Sequence, residues 1–183
     1  IRGKAKYDTG KYSEAIKDFN KVTEDGCYNK LTKKLDDCNH VENCQRSYEN
    51  AVWYRAMSMH ALKKYQEAIK DYDWIISNGK SAYYLIMATE NLGRCYYGLR
   101  DYKSAMNYFE KEHKKYPNNI HAAALLCETK FYAWDALQSD EKPNAIVAFC
   151  GQVLQKDPDN KIAKKTINKL AASIKQKIDV LND

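Results

Sequence analysis

Three cysteines and a histidine gather in one short stretch of the chain: Cys27, Cys38, His40 and Cys44. Thiolate and imidazole are ligands that zinc takes. The spacing holds no C-x2-C knuckle and matches no common zinc pattern, so the four are weak metal candidates and no metal site is expected. A disulfide among the three cysteines is the other option, open only in an oxidising compartment. Cys95, Cys127 and Cys150 fall within helical stretches and read as small packing residues with free thiols. For Cys27, Cys38 and Cys44 the free, disulfide-bonded and metal-bound states all stay open. Free thiols favour a reducing, cytoplasmic location, with an oxidising compartment not excluded.

The other residues that could do chemistry do not converge. His40, His60, His113 and His121 are scattered, and no pair has the i, i+4 spacing of a helical metal site. Neither a glycine-rich phosphate loop, nor a calcium loop, nor a nucleophile elbow occurs. Acidic residues mostly stand at helical spacing from lysines, as in Glu14-Lys17, Glu67-Lys70 and Glu110-Lys114, which marks solvated faces. The expectation is a protein without catalysis and without a cofactor.

The composition bounds the elements that carry these residues. In 183 residues there are only 7 glycines and 3 prolines, with 44% apolar residues, which excludes a linker or a disordered chain and favours helices. No run approaches ~18 apolar residues, so no membrane span is expected. The first residue, Ile1, falls inside a helical pattern and shows no signal-peptide character, so the chain reads as a fragment of a longer protein. The net charge of +6 comes from 25 lysines and only 5 arginines. Phosphate and base recognition favours the arginine fork, so nucleic acid is the weaker reading of this charge.

Repetition organises the chain. Four segments share one layout: Tyr12 with Ala15, Ile16 and Phe19; Tyr65 with Ala68, Ile69 and Tyr72; Tyr102 with Ala105, Met106 and Phe109; and Ala145, Ile146 and Phe149. Alanine and an aromatic at i and i+4 share one helix face, where the small residue admits a neighbouring helix and the ring fills the space beside it. The third copy adds Leu92, Gly93 and Tyr96 before it and Pro117 after it. That gives L-G-x2-Y, then A-x3-F, then P. The pattern resembles the tetratricopeptide repeat, most closely over residues 86–119.

The resemblance implies an all-α fold, a right-handed α-solenoid of antiparallel helix pairs forming one domain over 1–183. Repeat 1 is expected at about 1–29, an insertion at 30–48, and repeats 2, 3 and 4 at 49–82, 86–119 and 120–160. Ala15 and Ala68 stand 53 apart, well beyond the roughly 34-residue period, which locates the insertion. There Val41, Cys44, Tyr48 and Val52 step by three or four, so the first helix of repeat 2 is expected to extend backwards by about two turns. A capping helix is expected at 161–181, with Ile162, Ile167, Leu170, Ile174, Ile178 and Leu181 on one side.

In the family, the first helix of each pair lines a concave groove that holds a peptide or helix of another protein. Alignment of the repeats places Lys4, Tyr7, Trp53, Met57, His60, Glu90, Asn91, Arg94, Tyr97, Glu128 and Phe131 there, with Lys165 and Lys169 extending it. Trp53 and Met57 have a second reading, as packing against the insertion. Asn91 stands where one member would be of the carboxylate clamp with which a family branch grips acidic C-termini, and Arg94 is close by. The other clamp positions hold unlike residues, and that clamp is not expected. The function expected is an interaction scaffold for a protein partner, the ligand carrying apolar and acidic groups. The alternatives are a targeting or co-chaperone module of a larger protein, and binding of RNA or an acidic surface through the lysines of the last helix.

Overall fold

The computed structural model describes residues 2–24, 38–137 and 139–182, with the side chains of all but 38–42 and 181–182. Among the described residues the chain is entirely helical apart from turns. The helices are α1 (Arg2–Asp8), α2 (Tyr12–Glu24), α3 (Cys38–Ala61), α4 (Tyr65–Asn78) and α5 (Ala82–Gly98), then α6 (Tyr102–Lys115), α7 (Ile120–Asp135), α8 (Pro143–Lys156) and α9 (Lys161–Asn182). They fall into two compact units, Ile1–Gly98 and Leu99–Asp183. Within each unit every helix packs on its chain neighbour. In addition α1 meets α3, and α9 meets α7. This is the all-α arrangement of consecutive helix pairs that the repeats predict.

The alanine-aromatic pattern forms the seams. Ala15, Ala68 and Ala105 have no exposed surface, and Phe19, Tyr72 and Phe109 are buried at 5%, 0% and 1% exposure. Gly3 lies so close to Phe19 that an added Cβ would stand 2.7 Å from the ring, so a bare backbone is what lets the ring in. The turns inside the pairs repeat as well. Gly10, Lys63 and Arg100 each stand two residues before the repeat tyrosine and each adopts positive φ, at 75°, 58° and 60°. The amides of Lys11 and Lys64 reach back to the Lys6 and Met59 carbonyls, closing helix ends with a left-handed residue. Glycine takes that conformation without steric cost, whereas Lys63 and Arg100 adopt it against about 1 kcal/mol of strain.

The fourth copy corrects the alignment made from sequence. Ala145 is exposed and Phe149 only half-buried, while Ile146 and Cys150, one residue later, are buried at 0% and 1%. The sizes are exchanged: a large residue holds the alanine position and a small one the aromatic position. Cys150 forms a disulfide with Cys127 of α7, with Cα atoms 5.3 Å apart. The reading of Cys127 and Cys150 as free thiols is therefore overturned. Their sulfurs fill the seam that a ring fills in the other copies.

The insertion falls partly on residues 25–37, outside the described residues. From Cys38 onward the first helix of the second pair runs backwards by about three turns from residue 49, one more than expected. The last helix docks on α7 and α8 through Ala163, Thr166 and Leu170, all at or below 1% exposure, with Ile162, Ile167 and Ile174 beside them. Ile178, expected on the docked face, is 52% exposed, so docking ends about a turn earlier than the apolar pattern does.

Candidate functional site

The helical stripe Arg46, Asn50, Trp53 and Met57 repeats at i, i+4, i+7 and i+11, which aims one face of α3 in a single direction. The stripe Tyr84, Met87 and Asn91 does the same on α5. Together with the end of α1 these faces enclose a cleft of about 720 Å³ in the first unit. Tyr7 comes from α1, Trp53, Tyr54 and Met57 from α3, and Tyr83, Tyr84 and Met87 from α5. The wall is made by the first helices of successive pairs.

The wall is rigidly built. Trp53 is 5% exposed and stacks on Tyr84 with centroids 4.9 Å apart, and it meets Tyr72 edge-on at 5.8 Å. The Tyr84 hydroxyl donates to Asn50 Oδ1 at 2.7 Å. Tyr7 meets Tyr54 edge-on at 5.4 Å. Burial raises the phenol pKa of both Tyr7 and Tyr84, so they remain neutral hydrogen-bonding groups. Tyr83, 63% exposed, is the ring most open to a ligand. The cleft also carries charge. Glu49 is 4% exposed, and its Oε1 accepts the Ser81 backbone N–H at 3.0 Å, at the start of α5. Asp8 is bonded to Lys4 at 2.6 Å.

Of the residues expected in a groove, Tyr7, Trp53 and Met57 line this cleft. Lys4 sits beside it, 5.5 Å above the Tyr54 ring. Trp53 packs on α4 and α5, and Met57 Sδ accepts the Tyr72 hydroxyl at 3.3 Å. His60 lies between the rings of Tyr65 and Tyr72, at 5.5 and 6.4 Å. Arg94 is ion-paired with Glu90 at 2.7 Å, so its charge is already met within α5. Asn91, 7% exposed, donates to the Met87 carbonyl at 2.9 Å. Tyr97 also lies on α5 and does not line the cleft.

The remaining four belong to the second unit. Glu128 lies half-buried on α7. Phe131, 4% exposed, is part of the core, packed on Tyr132 and Trp134, and so is not available to a ligand. Lys169 bonds the Tyr132 hydroxyl and lies over its ring at 4.8 Å. Lys165 is exposed on α9.

Reading by motif missed Arg46, Tyr54, Lys80, Tyr83, Tyr84 and Met87. The two stripes would have found three of them: stepping back from Trp53 by seven reaches Arg46, and from Asn91 by four and seven reaches Met87 and Tyr84.

For the metal candidates, Cys27 lies outside the described residues, as do the side chains of Cys38 and His40. Cys44 is disulfide-bonded and is not available as a thiolate ligand. Among the described residues, no group of three or more His, Cys, Asp or Glu is placed to hold a metal ion. Cys95 is the free thiol among the described residues; burial pushes it up to about 12, which keeps it protonated and inert.

Burial, and then the nearby Arg94, lower the pKa of His60 from 6.5. The unfolded chain therefore binds the proton more readily. His60 contributes stability in full above about pH 6.5, and loses it as pH falls through the folded value. His60→Phe keeps a ring between Tyr65 and Tyr72. Urea midpoints at pH 7.5 and pH 5.0 should converge for this variant relative to wild type. Equal losses in both proteins would remove His60 as a cause.

The tetratricopeptide-repeat family model matches residues 90–119, from within α5 to the residue before α7. No curated protein matches the chain. Among the described residues no helix is long and apolar enough to cross a membrane.

Proposed function

We propose that this chain, which carries a tetratricopeptide repeat, is a scaffold that holds a segment of a partner protein in the cleft of its first unit. Repeats of this family serve protein interaction in general, and ordinarily without catalysis. The observation that carries the reading is the cleft itself: about 720 Å³, walled by Trp53, Tyr83, Tyr84 and Met87, with Tyr83 open to solvent. Aromatic and methionine side chains are the anchors typical of interface hot spots.

The lysines of α9 support the alternative less well. Three of the six are engaged within the second unit: Lys164 with Asp159, Lys169 with Tyr132, and Lys177 with Asp135 and the Trp134 ring. The disulfides at Cys44 and at Cys127–Cys150 support an oxidising compartment over the cytoplasmic one that free thiols favoured.

A displayed library of random 12-residue peptides, panned against the purified chain, tests the reading. Selected peptides should lose about tenfold or more in affinity on Tyr83→Ala, measured by fluorescence anisotropy. Peptides whose affinity ignores Tyr83→Ala and Met87→Ala alike would place recognition elsewhere.

A further inference from the structure

The cleft's charges are not equally committed. Its two acids are both occupied. Asp8 holds Lys4 at 2.6 Å, and Glu49 is buried against the Ser81 N–H at 3.0 Å. Its two cations, Arg46 and Lys80, are exposed on the cleft's rim and form no ion pair among the described residues. They come from different elements, one from the backward extension of α3 and the other from the turn before α5. A third positive feature is the start of α5, whose peptide dipoles point their positive end toward Lys80 and Ser81. The chain already seats one carboxylate there, that of Glu49. Between these cations and the α1 end of the cleft lies the aromatic wall.

We infer that the cleft's occupant is an acidic segment of a partner protein, with one aliphatic or aromatic side chain against Trp53 and Tyr83 and flanking Asp or Glu side chains paired with Arg46 and Lys80. The inference rests on the proposed function of the same cleft and narrows it to one chemistry. The residues concerned are not those of a clamp for a chain terminus: Asn91 is buried and bonded to its own helix, and Arg94 is held by Glu90. The acid read here lies within the bound segment, at the side chains. An arginine on the rim offers a carboxylate a two-pronged pairing, and a lysine a mobile point charge, so the pair tolerates different spacings of acids.

The double reversal Arg46→Glu/Lys80→Glu tests this, since among the described residues neither side chain forms an ion pair; an unchanged thermal melt confirms that the variant folds. The same 12-residue library is panned on wild type, on this variant, and on Tyr83→Ala. The wild-type pool should carry a net negative charge around an apolar residue. The reversed variant should select a neutral or basic pool. A peptide from the wild-type pool should lose at least tenfold in affinity on reversal, and should weaken between 50 and 300 mM NaCl as exposed pairs are screened.

A wild-type pool without acidic excess, still lost on Tyr83→Ala, would overturn the acidic occupant and leave the cleft reading intact. Pools that do not depend on Tyr83 would overturn both. A 20-nucleotide single-stranded RNA that displaced the peptide and needed Arg46 and Lys80 would replace the peptide with nucleic acid.

Discussion

Asp71→Ala should destabilise the first unit by about 3–5 kcal/mol, the loss typical of breaking a buried ion pair by removing one partner. Arg55 and Asp71 meet through both prongs, Nε to Oδ2 at 2.8 Å and Nη2 to Oδ1 at 2.7 Å. Their side chains are only 18% and 10% exposed. Nη1 of the same guanidinium donates to Thr23 Oγ1 at 2.6 Å and to Asn20 Oδ1 at 3.1 Å. One side chain of α3 thus ties α2 and α4 together. Without Asp71 the cation keeps its bonds to α2 but loses its counter-charge in a place where water reaches poorly. Arg55→Lys should also cost stability, because an ammonium cannot span both carboxylate oxygens and the α2 acceptors together. Arg55→Met, which removes the charge and keeps the volume, should cost less than Asp71→Ala. Urea titrations of the three variants rank them. A loss below about 1 kcal/mol for Asp71→Ala, the range of exposed pairs, would show that solvent reaches the site.

The second large effect is on the second unit. Breaking Cys127–Cys150, by Cys127→Ala/Cys150→Ala, should cost about 3 kcal/mol through the entropy of the freed loop alone, for a closure of this length. The separation is 23 residues. Both cysteines are at or below 1% exposure, so the smaller alanines also leave unfilled space in a seam that Ile146 and Val153 share. Against a typical total of about 5–15 kcal/mol, such a loss is large. Hydrogen exchange should report it as faster opening across α7 and α8. Thiol-specific labelling of the folded wild type should leave Cys127, Cys150 and the inert Cys95 unmodified. Ready labelling of Cys127 without denaturant would contradict the bond.

These two features show where sequence reading reached and where it stopped. The seams were legible because alanine and an aromatic four residues on can serve only one helix face, and that pattern recurs without a gap at Ala15, Ala68 and Ala105. It misled at Ala145, because the fourth pair keeps the volume of the seam but exchanges which position is large. A pattern of residue types cannot show that, whereas a bridge to Cys127 requires it. The Arg55 network escaped notice for another reason. Its partners lie 16, 32 and 35 residues away, on helices whose facing is set by packing rather than by local spacing.

The cleft was half legible. Tyr7, Trp53 and Met57 follow from aligning the first helices. The cations Arg46 and Lys80 do not, since one lies in the stretch that departs from the repeat and the other in a turn. Arg94, expected in the groove, has its charge met by its own Glu90, one helical turn earlier.

Where a selected peptide rests on the protein is the most direct measure of the whole account. Hydrogen–deuterium exchange with and without a saturating peptide from the wild-type pool gives that footprint. Protection should concentrate in the end of α1, residues 43–57 of α3 and the start of α5, and vanish in Tyr83→Ala. Protection confined to α7 and α9, with α3 and α5 unchanged, would contradict it.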